Sequence, residues 1–491
     1  MNFKEIEANF KQNIFYNEDD IKIHFHTDII KPILKTVNSE MYNNYRSEQT
    51  FLTGGRSDAT FQNISFEFKK KALFKSNNGI DEALYGRNNK DHGLYDYILS
   101  NAGLKDNDSE VLIIQKIVNS IGVGFDGDKF IFARFIPSPQ RNKIDTTKLN
   151  LKIVEPLNLS FYFEIKEFQS GLKKLTLLLK QQGKMALNKQ NLISIINTKS
   201  SFVRNSILKI YEEIHYNINN VNGSNRVRTL FNEWNRVFGI MYGEDYEATN
   251  FTEVSSIIRE LYGIDENIII DSKLYLFAMQ TFFNIFLKLL IYSFLSQLVD
   301  PSFTIKQELS KAEIDRLFDG NDLSSTNLVN NFFEAHFMEW FTYTDSGFEE
   351  DIVKKTFSII ENFDLSTFVL KPENVQDILQ EVYMELIPAK MRHLMGEYFS
   401  PDWIVEHALD IADYDGNIDK SIIDPCCGSG SFLTNAIKRI ISRKKNSVLT
   451  KDDINKITHN VIGFDINPIS VVAAKANYIL IIFSAYFEHC N

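Results

Sequence analysis

Two short apolar stretches near the end of the chain, each ending on an acid, constrain the fold most strongly. The pair Ile422-Ile423 leads into residues 424–433, which read DPCCGSGSFL, and residues 461–464 form a second apolar run that ends at Asp465. A strand that ends on an acid, turns through glycines and opens a helix builds a nucleotide-type pocket in a doubly wound α/β sheet. The carboxylate after the second strand can reach ribose hydroxyls there.

The turn after the first strand indicates which ligand this pocket takes. It carries only Gly428 and Gly430, whereas a pyrophosphate requires a three-glycine fingerprint. A nucleoside without phosphates, such as S-adenosylmethionine, is therefore expected. A third block, GEYFSPDW at 396–403, lies just upstream. In this order and spacing, the three blocks resemble the adenine-specific N6 DNA methyltransferases of restriction-modification systems, and the resemblance covers residues 391–491.

The resemblance implies a Rossmann-like domain with a defined set of cofactor contacts. Phe399 and Pro401 would lie against the methionine end of S-adenosylmethionine. The floor under the cofactor would be formed by Asp424, Gly428 and Gly430. The ribose would be held by Asp465.

Two alternatives concern single residues of this segment. Taken alone, Asp465 would be a helix N-terminal acid beside the start signal Asn467-Pro468, but its neighbours favour the cofactor contact. Cys426 and Cys427 stand where small residues are more usual, and both are best interpreted as buried small apolar side chains.

The methyl-transfer step of this family implies a motif that the chain does not contain. An Asn or Asp followed by Pro-Pro and an aromatic residue holds the flipped adenine, yet no two prolines are adjacent in the 491 residues. Asn467-Pro468 offers neither a second proline nor a ring. We therefore expect a partial methyltransferase domain that lacks the catalytic motif, the later strands and a target-recognition domain, with a second polypeptide as a candidate source of them.

A second chemical site is predicted near the N-terminus, in a β-hairpin. Residues 56–61 and 64–69 alternate apolar and polar side chains around Gln62-Asn63, the length of a two-residue turn. Counting back from this turn places Asp58 directly opposite Glu67, and residue 69 shares the same face.

The residues on this face match the chemistry of metal-dependent phosphodiester cleavage. Asp58 and Glu67 can bind Mg²⁺ beside a scissile phosphate, while the ammonium of Lys69 orients or acidifies the attacking water. An Asp followed by Glu-x-Lys resembles the restriction-endonuclease-like nuclease superfamily. Members often add an acid from an early helix, for which Glu18 matches best and Glu48 second. The alternative is a solvated hairpin whose charges form surface cross-strand pairs.

The run at 230–239 resembles the helical connector between nuclease and methyltransferase in single-chain restriction enzymes. Residues 185–390 are predicted to be mostly helical, with helices at 206–218, 226–238, 253–261, 313–318, 327–340, 351–363 and 375–386. Within them, residues 274–299 are apolar and long enough to cross a bilayer. However, Gln280, Asn284 and Lys288 recur every four residues on one helical face. We therefore predict a buried helix with a satisfied polar seam and no membrane span, and a DNA or partner contact is the alternative.

Length, charge and cysteine content complete the prediction. At roughly 150 residues per domain, 491 residues suggest about three domains: a nuclease domain at 1–180, a helical connector at 181–390 and the partial methyltransferase domain at 391–491. Three cysteines, two of them adjacent, indicate a reducing, cytoplasmic compartment. A net charge of −11 argues against a nucleic-acid coat protein but allows a local basic cleft for DNA.

The expected function is that of a DNA restriction-modification enzyme. It would transfer a methyl group from S-adenosylmethionine to adenine N6 and cleave unmodified double-stranded DNA with Mg²⁺. A metal-dependent endonuclease or sensor subunit with a residual cofactor-binding fold is the first alternative, and an inert assembly subunit is the second.

Overall fold

The chain folds into two compact units. One comprises Met1–Gln182 with Asp300–Ser302, and the other comprises Gly183–Val299 with Phe303–Asn491. The computed structural model describes residues 2–37, 45–50, 56–87, 92–105, 108–137, 159–187, 189–242, 250–264, 270–301, 303, 309–318, 332, 337–344, 347–365, 378–387, 392, 399–444 and 449–486.

A six-stranded sheet forms the centre of the first unit, with its strands in sequence order. The strands are β1 (Tyr45–Thr50), β2 (Arg56–Phe61), β3 (Ile64–Phe68), β4 (Ile121–Phe125), β5 (Lys129–Pro137) and β6 (Leu159–Glu167). Strands β3 and β4 run parallel, and every other neighbouring pair is antiparallel. The predicted hairpin is confirmed, because Phe61 pairs with Ile64 across the Gln62-Asn63 turn.

Helices pack on both faces of this sheet. They are α1 (Phe3–Lys11), α2 (Glu18–His24), a π-helical turn (Phe25–Ile30), α3 (Lys31–Val37), α4 (Asn77–Tyr85), α5 (Leu94–Asn101), α6 (Glu110–Asn119) and α7 (Phe168–Gln181). The ring of Phe25 contacts Phe66, Phe68 and Phe125 on one face, and each buried phenylalanine stabilises the fold by about 1.5–3 kcal/mol. Because side chains alternate along a strand, Glu67 points to the opposite face, where α5 packs on β3.

The second unit is mostly helical. Its helices are α8 (Lys189–Ile195), α9 (Ser201–Asn219), α10 (Asn225–Tyr242), α11 (Asn250–Tyr262), α12 (Ser272–Val299), α13 (Lys311–Phe318), α14 (Phe348–Glu361), α15 (Ile378–Leu386), α16 (Asp402–Ile411), α17 (Ser431–Arg443), α18 (Lys451–Asn460) and α19 (Pro468–Tyr486). Its described residues also form two parallel strand pairs: β7 (Met185–Ala186) with β8 (Phe363–Asp364), and β9 (Ile422–Asp424) with β10 (Val461–Gly463).

The predicted helices of the connector are found with shifted ends. For example, the helix predicted at 206–218 spans Ser201–Asn219. The helix predicted at 327–340 differs, because the described residues Phe337–Tyr343 form a 3-10 helix. The remainder of that segment, apart from residue 332, lies outside the described residues.

The predicted polar seam on α12 is confirmed as buried, and each of its three side chains has a partner, although Asn284 Oδ1 accepts no hydrogen bond from the described residues. Trp234 Nε1 donates to Gln280 Oε1 at 2.8 Å. Asn284 Nδ2 donates to Glu339 Oε1 at 2.9 Å, and Lys288 Nζ lies 2.5 Å from the same oxygen. Lys288 and Glu339 are 0% and 1% exposed, so the seam is not accessible for the DNA or partner contact that was the alternative.

Two described helices, α12 and α19, are long and apolar enough to cross a membrane. In both, most of the apolar stretch is buried inside the structure, 100% of it in α12 and 78% in α19. Core helices of soluble domains pass the same test of length and composition. Helix α12 packs against α9 and α14 from the connector and against α19 from the segment 391–491. The connector and the methyltransferase segment therefore share one compact unit, whereas the sequence predicted two domains.

Candidate functional sites

A cleft of about 340 Å³ opens beside the β2–β3 hairpin in the first unit. We call it the hairpin cleft, and its charged lining residues are Glu18, Asp58, Glu67, Lys69, Glu82 and Arg87. The structure thus brings together the three residues predicted for phosphodiester cleavage and the better of the two candidates for the third acid.

Asp58 lies beside the end of β3. The β2–β3 ladder pairs Ala59 with Phe66, and Asp58 is the residue before Ala59, one step further from the turn. There its Oδ2 accepts a hydrogen bond from the backbone N–H of Phe68 at 2.8 Å. Burial raises the pKa of Asp58, although the Phe68 hydrogen bond and the nearby Lys22 and Lys69 charges act in the other direction.

Glu67 is almost fully buried. Burial, followed by the charge of Asp58, raises the pKa of Glu67 to about 8, against the lowering effect of Lys69. Lys69 Nζ lies 2.6 Å from Glu67 Oε1 and 3.8 Å from Glu82 Oε1. Burial alone would lower the pKa of Lys69, but the carboxylates of Glu67, Glu18 and Glu82 raise it, so the ammonium is charged at neutral pH.

Glu18 lines the cleft and is the first residue of α2. The Asn17 side chain accepts the backbone N–H of Asp20, and the Asp20 side chain accepts that of Asn17, which forms a capping box. The competing candidate, Glu48, stands on β1 between Ser47 and Gln49, which pair with β2 on either side of Asp58. The Glu48 side chain lies outside the described residues, and so do Gly54 and Gly55.

Two further lining residues, Glu82 and Arg87, were missed by the sequence analysis. Arg87 NH2 lies 2.7 Å from Glu82 Oε1, and Arg87 is more than half exposed at the mouth of the cleft. They come from α4 and the residues that follow it, and nothing in the local sequence indicates that α4 packs beside the hairpin. Among the described residues, no group of three or more His, Cys, Asp or Glu side chains could hold a metal ion.

The second site lies in the other unit, at the carboxyl ends of β9 and β10. The two strands pair from Val461 with Ile422 to Gly463 with Asp424. The glycine loop after β9 contacts the chain after β10 through backbone hydrogen bonds, since Phe464 N–H donates to Asp424 O and Cys427 N–H donates to Phe464 O. This is the strand–turn–helix arrangement that the sequence predicts.

Asp465 joins the two halves of this site. Its Oδ2 accepts the backbone N–H of Gly428, and its Oδ1 accepts that of Asn467, each at 2.8 Å. Gly428 and Gly430 have φ values of +54° and +89°, which favour glycine. The structure therefore brings the glycine loop and Asp465 together, and it also shows the helix-start contact that was the alternative for Asp465.

Phe399 and Pro401 have other contacts in the structure. The Phe399 ring lies 6.1 Å from that of Tyr383, and the Arg392 guanidinium lies 5.5 Å from its centroid. Pro401 is exposed and is the residue before α16. The three residues upstream of Phe399 in the predicted block, 396–398, lie outside the described residues.

The prediction for the paired cysteines is half right. Cys427 is buried, whereas Cys426, the residue before it in the turn after β9, is exposed. Burial, reinforced by Asp465 and Asp424, raises the pKa of Cys427 to about 12, so its thiol is protonated at neutral pH.

The segment that contains the second site resembles a known family. Residues 374–483 match the family model described as N-6 DNA Methylase. The match supports DNA adenine methylation in the broad sense, and the family implies S-adenosylmethionine as cofactor and DNA as substrate. The chain matches no curated protein and no solved structure.

Proposed function

We propose that the chain is part of a DNA restriction-modification enzyme that methylates adenine N6 with S-adenosylmethionine and cleaves unmodified double-stranded DNA. The observation that carries the proposal is the hairpin cleft, in which Asp58, Glu67 and Lys69 line one cavity in a chain that also contains an N-6 DNA methylase segment. The restriction-endonuclease-like character of the first unit and the cytoplasmic location belong to the same proposal.

The donor set of the cleft fits Mg²⁺. Asp58 and Glu67 offer carboxylate oxygens, the ligands this cation prefers, and the repulsion by which Asp58 raises the pKa of Glu67 would be relieved by a shared cation. Mg²⁺ keeps several waters and commonly uses one or two carboxylates together with substrate phosphates, so a third protein ligand is not required. When bound, the cation would polarise a phosphate oxygen and lower the pKa of a water molecule. Glu18 is the candidate third acid.

Lys69 would act directly on the reacting groups. Its ammonium is held at the cleft by Glu67 and remains charged at neutral pH. From there it would orient the attacking water and offset the negative charge that develops on the phosphate. Arg87, exposed at the mouth of the cleft, would contact a neighbouring phosphate of the DNA backbone.

In the second unit, Asp465 would hold the cofactor ribose. Its two backbone hydrogen bonds leave acceptor positions free, because an ionised carboxylate has about four lone-pair sites. Ile423, Phe464 and Ile466, close to the carboxyl ends of β9 and β10, are each at least 60% exposed. A second polypeptide would cover them, complete the walls around the adenine ring and bring the Pro-Pro-aromatic motif.

The cleavage half of the proposal is tested on unmethylated plasmid DNA with purified protein. We expect cleavage with Mg²⁺, none with EDTA, and a loss of at least about 100-fold in Glu67→Gln and Lys69→Met because each removes a group that acts at the phosphate. Lys70→Met is the matched control, since Lys70 is the exposed neighbour of Lys69. Full activity of Glu67→Gln would sink the assignment. Equal rates of cleavage of adenine-methylated and unmethylated DNA would favour the endonuclease or sensor alternative.

A further inference from the structure

A histidine and a buried aspartate form a pair on the wall of the hairpin cleft. His92 lines the cleft together with Asp58, Glu67 and Lys69. Its Nδ1 lies 3.4 Å from Oδ2 of Asp96, in the first turn of α5. The Asp96 carboxyl is buried, and within the described residues its Oδ1 accepts no hydrogen bond. The helix N-terminus is a favourable place for such a buried carboxylate.

This pairing fixes which ring nitrogen is available to a ligand. A carboxylate beside Nδ1 favours the form that carries hydrogen at Nδ1 and holds the ring in one orientation. The imidazole is about one-third exposed, and Nε2 is then the nitrogen that can meet a molecule bound in the cleft. The other basic side chains of the cleft have acidic partners of their own, since Lys69 contacts Glu67 and Arg87 contacts Glu82. The acidic partner of His92 is Asp96.

We propose that His92 is the general acid of the cleavage reaction and that Asp96 is its positioning residue, an inference that rests on the proposed nuclease function. A water oxygen forms a bond to phosphorus as the bond from phosphorus to the leaving deoxyribose oxygen breaks. The electron pair of the broken bond goes to that oxygen, which takes the proton from Nε2 of the imidazolium. The water releases a proton to solvent, and His92 regains one from solvent.

The chain contains a matched control for this pair. His24 Nδ1 lies 3.0 Å from Asp28 Oδ2, also four residues apart, and the His24 side chain is as exposed as that of His92, 33% against 31%. His24 does not line the hairpin cleft. The substitution His92→Asn keeps a donor toward Asp96 and removes Nε2, so the fold keeps its buried contact. His24→Asn makes the same change at the control pair.

The test uses the full chain with Mg²⁺ and a DNA duplex that carries the cleavage site mapped with the wild-type protein. We expect His92→Asn to lower kcat by about 10²–10⁴-fold and His24→Asn to change it less than about 2-fold. A second duplex replaces the leaving oxygen, identified from the wild-type products, with sulfur. A thiolate leaves without protonation, so His92→Asn should cleave this duplex within a few-fold of wild type.

A metal-free measurement tests the positioning role of Asp96. In ¹⁵N spectra of the histidine rings, neutral His92 should carry its hydrogen on Nδ1, and Asp96→Asn should shift the ring to a mixture of both forms. Equal cleavage by His92→Asn and wild type overturns the inference while the nuclease proposal stands, and so does an unchanged defect on the sulfur duplex. Absence of any wild-type cleavage overturns both.

Discussion

At the hairpin cleft, the ionisation of Glu67 is opposed by its own surroundings. The residue is about 5% exposed, and burial together with the charge of Asp58 raises its pKa to about 8 from an ordinary value of 4.5. A fold that gained nothing from this arrangement would keep an apolar side chain at a position this buried. The free energy that is needed to ionise Glu67 here supports the proposal that Asp58 and Glu67 take part in a reaction, because carboxyl groups with shifted pKa values in clefts are commonly functional.

The raised pKa of Glu67 predicts a pH-dependent effect of Glu67→Gln on stability. The unfolded chain loses the Glu67 proton near pH 4.5, whereas the folded chain keeps it to about pH 8. Between these values the folded state binds more protons, so the contribution of Glu67 to stability is present below pH 4.5 and is lost as the pH rises to about 8. Without Mg²⁺, the variant should therefore melt above wild type at pH 8.5 and close to it at pH 5.

Thermal melts across this pH range provide the measurement. Lys70→Met is the control, because Lys70 is exposed and its substitution should shift the melting temperature by the same amount at every pH. A gap between wild type and Glu67→Gln that stays constant from pH 5 to pH 8.5 would contradict the prediction. Added Mg²⁺ should narrow the gap at pH 8.5, because a cation that binds the carboxylates of the folded state stabilises it.

The residues of this cleft differ in how far the sequence could predict them. Asp58, Glu67 and Lys69 follow from counting along a hairpin, since turn length fixes the register and the register fixes the face. Glu82, Arg87 and His92 come from other elements, whose packing on the sheet depends on long-range contacts. The periodicity of a single segment carries no information about those contacts.

At the scale of elements, helix α12 shows how a nearly continuous apolar segment is held in one register. Its polar side chains meet partners on α10 and on the 3-10 helix Phe337–Tyr343. The four-residue spacing of Gln280, Asn284 and Lys288 predicted this seam. The partner Glu339 could not be predicted, because its segment was expected to be α-helical and is 3-10 where described.

Breaking the buried ion pair of this seam should be costly. Glu339→Gln removes the negative charge that lies 2.5 Å from the fully buried Lys288 ammonium, and we expect it to lower the free energy of unfolding by about 3–5 kcal/mol. The control is Lys209→Met, which removes a surface pair with Asp351 in the same unit and should cost at most about 1 kcal/mol. Urea unfolding followed by tryptophan fluorescence measures both, since Trp234 and Trp340 are buried beside α12. Equal costs for the two variants would contradict the buried-pair interpretation.

At the scale of the whole molecule, the two proposed chemistries lie in different compact units. The residues proposed for cleavage belong to Met1–Gln182, and the glycine loop proposed for cofactor binding belongs to the unit that contains Phe303–Asn491. The first unit ends at Gln182, close to the predicted end of the nuclease domain at residue 180. The sequence did not predict that the connector and the methyltransferase segment share a core, since the contact of α12 with α19 joins two apolar helices whose sequences carry no pairing signal.

This organisation predicts that the purified chain alone binds S-adenosylmethionine weakly and transfers no methyl group to DNA. The glycine loop is formed and bonded to Asp465, yet the apolar side chains Ile423, Phe464 and Ile466 are exposed, and the chain contains no Pro-Pro-aromatic motif to receive adenine. Transfer of a radiolabelled methyl group to DNA by the chain alone would refute this prediction.

Addition of a polypeptide that supplies an Asn-Pro-Pro-aromatic motif and further strands should restore both binding and transfer. In that complex, Asp465→Ala should weaken cofactor binding by about 1.5–3 kcal/mol, the loss expected for charge-assisted hydrogen bonds to the ribose. Asp410→Ala is the control, because that carboxylate pairs with Arg439 on the surface of the same unit. Calorimetric titration separates the outcomes, since equal affinities of the two variants would show that Asp465 only holds the glycine loop.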